Sequence, residues 1–375
     1  MIDSNTGKTQ HMPESALANK LAAALASREE RNNRNRLPDS SLSHVPLTPG
    51  MHPHVAPVDF SSNDYLSLST SPLLRARFLA ALHSAPAILG SGGSRVVVYN
   101  QAHAALEARL ALNFRSPAAL LFNSGFNANA CFFTCVPQPG DALLYDDDIH
   151  ASVHDGARTS RVVQHMRRPF AHNDVSALHA ALRALRNECA ALKEGKSSVF
   201  VAVESVYSMD GAVAPLRAML DTMNEVFPAG NAHLLVDEAH ATGLYGPGGR
   251  GIVALLGLED RVLARFHSFG KALAASGGAC LSTCQCQYEL SELVPTAVLF
   301  TSTLIRDYLL NYARPLIYTT SLSNAAIIAA SCSFDLLEDG TAERVRVPAL
   351  LFRFPSPLLT HFSLSIYAKA CGARS

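Results

Sequence analysis

The sequence predicts an α/β fold in which helices cover both faces of a mostly parallel β-sheet. Short, continuous apolar runs such as "SVFVAV" (198–203) and "HLLVD" (233–237) alternate with longer segments of helical periodicity. Strands that are apolar on both sides are typical of parallel sheets buried between helices. The chain has 375 residues and is 48% hydrophobic and 17% charged, which is sufficient for a large domain and a smaller second one.

The N-terminal region, residues 1–56, is predicted to contain one helix and a linker. Segment 14–36 has apolar residues at helical spacing, namely Leu17, Leu21 and Leu25. Segment 38–57 is rich in Pro, Ser and His, a composition that favours a linker.

The alternation of helices and strands predicts a large domain over residues 57–300. A helix is expected within 103–114, and strands are expected within 118–125, 141–152, 198–211, 232–243 and 261–271. Residues 301–375 are predicted to start a small C-terminal domain, with an atypical apolar and proline-interrupted tail from about residue 346.

Composition disfavours several classes of partner. The 31 basic and 31 acidic residues give no formal net charge, and the absence of a long basic run argues against binding to nucleic acid. No apolar stretch reaches the length of a membrane span, and the first residues lack the layout of a secretory signal. We therefore expect a cytoplasmic protein with no membrane span.

The cysteines raise the question of zinc. Cys280, Cys284 and Cys286 form a C-x3-C-x-C cluster in "GGACLSTCQC", an apolar run that is predicted to be a strand. Structural zinc sites use two cysteine pairs or a pair with histidines, and this cluster has neither. We expect reduced structural thiols and no metal site.

One lysine, Lys271, follows the last predicted strand in "SFGKAL". It does not belong to a P-loop, because Arg265 stands where the first glycine is required and Ala272 where Ser or Thr is required. The remaining alternatives are an ordinary surface lysine and a lysine with a chemical role.

Parallel strands end at a common edge of the sheet, where ligands bind in such folds. The residues expected at this edge are Gly125, Phe126, His150, Ser208, Asp237, His240, Ser268 and Lys271. Each has an ordinary structural explanation, such as a helix cap or a turn residue, but together they indicate a site.

These residue types suit pyridoxal phosphate. A lysine amine binds the aldehyde, a carboxylate such as Asp237 faces the ring nitrogen, and the phosphate requires hydrogen-bond donors. The start of a helix at Gly125 and Phe126 offers free backbone N–H groups for the phosphate.

Eight motifs occur in an order that resembles the α-oxoamine synthases, which are fold-type I pyridoxal phosphate enzymes. They are "FSSNDYLSLS" (60–69), "GSGGSR" (90–95), "LFNSGFNAN" (121–129), "FAHNDV" (170–175), "ESVYSMDG" (204–211), "VDEAHATGLYGPGGRG" (236–251), "SFGKAL" (268–273) and "LIYTTS" (316–321). The resemblance runs from about residue 55 to 345. It implies the PLP-dependent transferase fold of type I.

The resemblance also implies the central residue roles. Lys271 is the Schiff-base lysine and proton shuttle, and Asp237 pairs with the ring nitrogen. His150 stacks on the ring and contacts substrate, while His240 and Ser208 lie near the phenolic oxygen of the cofactor.

Further roles concern the phosphate and the substrate. Gly125, Phe126 and Ser268 hold the phosphate, and Thr319 and Thr320 reach the phosphate of a neighbouring subunit, which implies a homodimer. Asn63 helps to hold the amino acid carboxylate. Arg34 and Arg36 are both candidates for a substrate-binding arginine from the N-terminal region, and the spacing does not choose between them.

The implied reaction is the decarboxylative condensation of an amino acid with an acyl-CoA. The wording "FSSNDYL" is most similar to members that join L-alanine to pimeloyl-CoA to make 8-amino-7-oxononanoate in biotin synthesis. Formation of aminolevulinate, 2-amino-3-oxobutyrate or 3-oxosphinganine is the alternative within the family.

The C-terminal part departs from the family pattern. Segment 347–375 lacks the alternation of elements and the substrate-clamping arginine expected of the small domain, so that domain is expected to be truncated or aberrant. A non-catalytic homologue therefore stands beside the active acyltransferase as the second hypothesis.

Overall fold

The chain divides into two units, Met1–Phe60 and Ser61–Ser375. The computed structural model describes residues 15–35, 62–90, 92–275 and 296–341. In the first unit it shows helix α1 (Ala16–Glu30), whose first turn is capped by the Ser15 hydroxyl, which accepts from the N–H of Ala18 at 3.1 Å. The predicted N-terminal helix is confirmed, and its three periodic leucines are exposed.

The second unit contains a seven-stranded sheet. Its strands are β1 (Ala118–Phe122), β2 (Ala142–Asp146), β3 (Arg167–Phe170), β4 (Val199–Glu204), β5 (Ala232–Asp237), β6 (Ala264–Ser268) and β7 (Ala297–Thr301). Their order in the sheet is β1-β7-β6-β5-β4-β2-β3. Strand β7 runs antiparallel to both of its neighbours, and every other pairing is parallel. The predicted mostly parallel sheet is confirmed.

Helices separate most of these strands along the chain. In the described part of the second unit they are α2 (Pro72–Ser84), α3 (Gln101–Asn113), α4 (Gly125–Cys135), α5 (Ala151–Thr159), α6 (Val175–Glu188), α7 (Ala190–Lys193), α8 (Leu216–Val226), α9 (Gly251–Leu255), α10 (Thr303–Tyr312), α11 (Arg314–Ile317) and α12 (Asn324–Glu338). The helix predicted within 103–114 is α3. Among the described residues, no helix has both the length and the apolar character that crossing a bilayer requires.

Both faces of the sheet are buried, which explains the continuous apolar runs. In β4, Val199, Val201 and Val203 pack with helices α6 and α8, whereas Phe200 and Ala202 pack with α4 and α5 on the opposite face. At the other end of the sheet, β1 and β7 pack against α3 and α12. Since successive side chains of a strand point to opposite faces, every position of such a strand must be apolar.

Two strands were not predicted. Strand β3 has the sequence "RRPF" at the edge of the sheet, and its polar, proline-containing composition is unlike that of the central strands. Strand β7 crosses the predicted boundary between residues 300 and 301, where no strand is expected from the sequence. The predicted linker, the predicted strand with Cys280, Cys284 and Cys286, and the tail from about residue 346 lie outside the described residues.

A buried carboxylate joins the end of β5 to helix α9. Glu238 accepts from the Ser205 hydroxyl at 2.6 Å and from the backbone N–H groups of Ile252 at 3.0 Å and Val253 at 2.7 Å. Gly251 has a φ of +91°, and a Cβ atom on it would lie 2.5 Å from Oε2 of Glu238. Glycine at position 251 therefore allows this carboxylate to reach the helix.

We expect Gly251→Ala to lower the free energy of unfolding by about 3–5 kcal/mol, because it combines a strained backbone with displacement of a buried, hydrogen-bonded carboxylate. Gly257 is a matched control, since its φ is +61° and a Cβ there would meet no atom within 4 Å. Gly257→Ala should cost only about 1–2 kcal/mol. Urea denaturation of the two variants measures the difference, and equal losses would contradict this role for Glu238.

Candidate active site

Six strands end at the same edge of the sheet. Strands β3, β2, β4, β5 and β6 form successive parallel pairs, and β1 has the same direction because β7 is antiparallel to both β1 and β6. The polar residues that follow these strands therefore lie along one edge, as the sequence predicts. The side chains at this edge form two hydrogen-bonded chains.

The first chain begins at Lys271. Its Nζ atom lies 2.7 Å from Nε2 of His240, and Nδ1 of His240 lies 2.7 Å from the hydroxyl of Tyr65. The Tyr65 hydroxyl donates to Oδ1 of Asn63 at 3.0 Å. Because that hydroxyl has only one hydrogen, the consistent assignment has His240 donating from Nδ1 and accepting from the lysine at Nε2.

Burial dominates the electrostatics of this chain. Desolvation lowers the pKa of the Lys271 ammonium, although the carboxylates of Asp237 and Glu204 act in the opposite direction. Desolvation, together with the neighbouring Lys271, lowers the pKa of His240 to about 4. His240 is therefore neutral at physiological pH and able to accept from the lysine.

The second chain begins at Asp237, the last residue of β5. Its Oδ1 accepts from the backbone N–H of Ala239 at 2.9 Å, and its Oδ2 accepts from Nδ2 of Asn129 at 2.7 Å. The same Asn129 nitrogen lies 3.0 Å from the Ser152 hydroxyl, which lies 2.7 Å from Nδ1 of His150. Asp237 and His150 are thus linked through two buried side chains.

His150 precedes helix α5 and caps it. Its ring packs edge-on against Phe126, with 6.3 Å between the ring centroids. Desolvation lowers the pKa of His150, Asp237 raises it, and Lys271 and His154 lower it further. The ring is neutral at physiological pH.

A further carboxyl group, Glu204, lies beside Asp237. The two residues are partners in the register between β4 and β5, and Glu204 is 3% exposed. Desolvation and the neighbouring Asp237 raise the pKa of Glu204 to about 8, whereas Lys271 and the backbone N–H groups of His150 and Ser208 lower it. Burial and the neighbouring Asp237 therefore favour the protonated form of Glu204 near neutral pH.

The start of helix α4 provides backbone donors at the same edge. Gly125 and Phe126 are its first two residues, so their N–H groups have no partner within the helix. The Ser124 hydroxyl caps this helix by accepting from the N–H of Asn127 at 3.1 Å. The side chain of Ser268 borders Gly125, since a Cβ on that glycine would lie 4.0 Å from Cβ of Ser268.

Two predicted site residues lie at the rim of this cluster. Ser208 is exposed, and its backbone N–H faces the carboxyl group of Glu204. Asn63 is also exposed and reaches the cluster through Tyr65.

Thr319 and Thr320 are exposed and have other contacts within their own chain. The Thr319 hydroxyl donates to the backbone carbonyl of Pro315, and the Thr320 carbonyl accepts from Nδ2 of Asn123 at 3.0 Å. Neither threonine belongs to the two hydrogen-bonded chains. In the N-terminal unit, Arg34 pairs with Glu29 at 3.3 Å, and Arg36 lies outside the described residues.

Four residues of the cluster are not predicted from the sequence, namely Tyr65, Asn129, Ser152 and Glu204. Three of them lie inside motifs that were noted for their resemblance, "FSSNDYLSLS", "LFNSGFNAN" and "ESVYSMDG". Ser152 follows His150 by two residues, which is the spacing of a local hydrogen bond. Their positions inside these motifs, and the spacing of Ser152 from His150, are the sequence features that could have indicated these four residues.

Within the described ranges, no group of three or more His, Cys, Asp or Glu side chains is suited to a metal ion. The C-x3-C-x-C cluster of Cys280, Cys284 and Cys286 lies in the part of the chain that the structure does not describe.

The family model for aminotransferase class I and II matches residues 56–350. The chain is 43% identical over 336 residues to 8-amino-7-oxononanoate synthase of Emericella nidulans, covering 88% of this chain. It is 39% identical over 291 residues to the aminoacyl transferase sphA of Aspergillus fumigatus, covering 77% of this chain. The chain belongs to the aminotransferase class I and II family. Within that family it falls in the α-oxoamine synthase group.

Solved structures of the group have the same fold. Serine palmitoyltransferase of Sphingomonas wittichii matches 78% of this chain with a TM-score of 0.62 and 27% identity. 8-amino-7-oxononanoate synthase of Francisella tularensis matches 77% of it with a TM-score of 0.56 and 28% identity. The predicted fold of type I pyridoxal phosphate enzymes is confirmed.

The chain spans only part of the length of these relatives. It covers 73% of the Emericella enzyme and 57% of sphA. It covers 63% of the Sphingomonas chain and 71% of the Francisella chain.

The residues of this α-oxoamine synthase family member fit pyridoxal phosphate. A desolvated amine, Lys271, and a carboxyl group that raises its pKa, Asp237, lie at one edge of the sheet. Free N–H groups at the start of α4 suit a phosphate, and the neutral ring of His150 suits stacking on an aromatic ring. The donor set therefore matches the aldehyde, ring nitrogen, phosphate and ring face of the cofactor.

Proposed function

We propose that the chain is a pyridoxal phosphate-dependent acyltransferase that joins L-alanine to pimeloyl-CoA. The α-carbon of alanine bonds to the acyl carbon, the thioester bond to CoA breaks, and carbon dioxide leaves, giving 8-amino-7-oxononanoate for biotin synthesis. The observation that carries this proposal is the position of Lys271 and Asp237 at one sheet edge, near enough for the carboxyl group to act on the pKa of the amine. The 43% identity to the Emericella enzyme supports the choice of substrates.

The cofactor would be held by residues of the two hydrogen-bonded chains and the start of α4. Lys271 would bind the aldehyde, Asp237 the ring nitrogen, and Gly125, Phe126 and Ser268 the phosphate. When bound, pyridoxal phosphate withdraws electrons from the α-carbon of the amino acid.

The protein's own contribution is to hold and move protons. The lowered pKa of Lys271 allows its amine, once released, to take the α-proton of the amino acid and return it later. His240 accepts a hydrogen bond from this amine and so orients its lone pair. The carboxyl group of Asp237 would face the ring nitrogen of the cofactor, and the hydrogen bonds from Asn129 and the N–H of Ala239 hold it in place.

We also propose that the chain forms a homodimer in which Thr319 and Thr320 contact the phosphate bound in the partner subunit. We further propose that Asn63 helps to bind the carboxylate of the amino acid. The exposure of all three residues supports both proposals. The boundaries 57–300 and 301–375 for the large and small domains, and a cytoplasmic location, stay predictions from the sequence.

Two measurements test this proposal. Adding pyridoxal phosphate to the purified chain should produce the visible band of the lysine-bound cofactor at about 420 nm. Product release should then be compared for alanine with pimeloyl-CoA, serine with palmitoyl-CoA and glycine with succinyl-CoA. We expect turnover with the first pair to exceed the others by at least about tenfold.

The other outcomes have distinct meanings. A preference for serine with palmitoyl-CoA would replace the proposed substrates with those of the 3-oxosphinganine-forming enzymes, to which the similarity with serine palmitoyltransferase points. A visible band without turnover of any pair would support the non-catalytic homologue, and the absence of the band would reject cofactor binding.

A further inference from the structure

The ring of His150 has a defined orientation of its nitrogens. Nδ1 of His150 caps helix α5 by accepting from the backbone N–H of Ser152 at 3.3 Å. A backbone N–H can only donate, so Nδ1 carries no hydrogen. The single proton of the neutral ring is therefore on Nε2.

The side chain of Ser152 strengthens this arrangement. Its hydroxyl lies 2.7 Å from Nδ1 of His150, and because Nδ1 has no hydrogen the hydroxyl is the donor. The Ser152 oxygen in turn accepts from Nδ2 of Asn129 at 3.0 Å. Two donors from one residue thus converge on the same ring nitrogen.

Asn129 sets the direction of the whole network. One hydrogen of its amide goes to Oδ2 of Asp237 at 2.7 Å and the other to Ser152. The flipped amide would place its oxygen against the Asp237 carboxylate, which is repulsive, so this orientation is determined. Asn129 and Ser152 are 1% and 0% exposed, whereas His150 is exposed. The buried pair therefore holds the inner nitrogen of the ring and leaves the outer one for a ligand.

We propose that Asn129 and Ser152 are positioning residues that keep His150 neutral with its proton on Nε2, so that this N–H is a fixed donor to a carbonyl or carboxylate oxygen of the substrate. The identity of that acceptor rests on the proposed function, whereas the state of the ring does not. The same asparagine donates to Asp237, so one buried amide orients both the carboxylate and the histidine of the site.

The wild-type ring can be examined directly by NMR. The full-length, cofactor-free chain is labelled with ¹⁵N-histidine, and His150→Gln identifies the signals of this residue. We expect the pattern of a neutral ring with hydrogen on Nε2 at pH 7. A ring protonated on Nδ1, on both nitrogens, or exchanging between the two neutral forms would overturn the proposal.

Variants test the role of the buried pair. In Ser152→Ala the neutral ring loses one donor, and we expect the pKa of His150 to rise by about 0.5–1 unit. Ser152→Thr keeps the hydroxyl and should restore the wild-type value, while Ser160→Ala at the other end of α5 is the matched control. The charged groups that also act on this ring, Asp237, Lys271 and His154, are unchanged in all these variants.

An unchanged pKa of His150 in folded Ser152→Ala would overturn the positioning role. If Ser152→Ala does not fold, the wild-type spectrum still decides the state of the ring. Because both measurements use the cofactor-free chain, a failed assay with alanine and pimeloyl-CoA leaves their outcome unaffected, so the two proposals fail separately.

Discussion

Lys271→Ala is expected to abolish the visible band of bound pyridoxal phosphate and to lower turnover by at least about a thousandfold, because the variant lacks the amine that we propose both binds the aldehyde and moves the α-proton. The fold should be retained, since the substitution removes a desolvated ammonium rather than a packed apolar group. Absorbance titration measures the visible band, steady-state assays measure turnover, and thermal unfolding shows whether the fold is retained.

The matched control is Lys196→Ala. Lys196 is an exposed lysine that pairs with Glu194 at 2.8 Å, and its loss should leave both the band and turnover unchanged. A persistent visible band in Lys271→Ala would refute the proposed role of Lys271.

In the wild type, the rate at which the band forms should reach its plateau below pH 10.5, the ordinary pKa of lysine, because burial lowers the pKa of Lys271 and only the neutral amine reacts.

Asp237→Asn is expected to lower turnover by at least about a hundredfold while the visible band is retained. The reason is that the substitution removes the negative charge that is proposed to face the ring nitrogen of the cofactor but keeps the size of the side chain. An amide also places one N–H group against a donor, either Asn129 or the N–H of Ala239, so the melting temperature should be measured alongside.

Asp221→Asn is the control for a general effect of losing an aspartate. Asp221 is an exposed residue that pairs with Arg261 at 2.9 Å, and its replacement should change neither turnover nor the visible band. Near-normal turnover of Asp237→Asn, or a loss of cofactor binding as large as the loss of turnover, would contradict the role of this carboxylate in electron withdrawal.

The parallel core of the sheet could be predicted because burial of both faces requires a continuous run of apolar residues in each strand. In β4 every residue from Val199 to Val203 must be apolar, and this run is visible without knowledge of its partners. Strand β3 has no such run, since an edge strand has fewer neighbours and tolerates Pro169. The direction of β7 depends on pairing with β1 and β6, which are distant in sequence.

The residues of the candidate site likewise divide into those that a local sequence pattern indicates and those that depend on distant contacts. Lys271, Asp237 and His150 could be predicted because each lies at or shortly after the end of a recognisable strand. Asn129 could not, because its role lies in a contact with Asp237, 108 residues away in the sequence. Tyr65 similarly reaches His240 across 175 residues, and no local pattern indicates such a contact.

Borohydride reduction of the cofactor-loaded chain, followed by peptide mapping, tests the central claim most directly. Reduction fixes pyridoxal phosphate to whichever amine binds it, and the chain has lysines in several exposed positions as well as at the sheet edge. We predict a single pyridoxyl label, on the peptide that contains Lys271. A label spread over exposed lysines such as Lys193 and Lys196, or no label on the Lys271 peptide, would contradict the account.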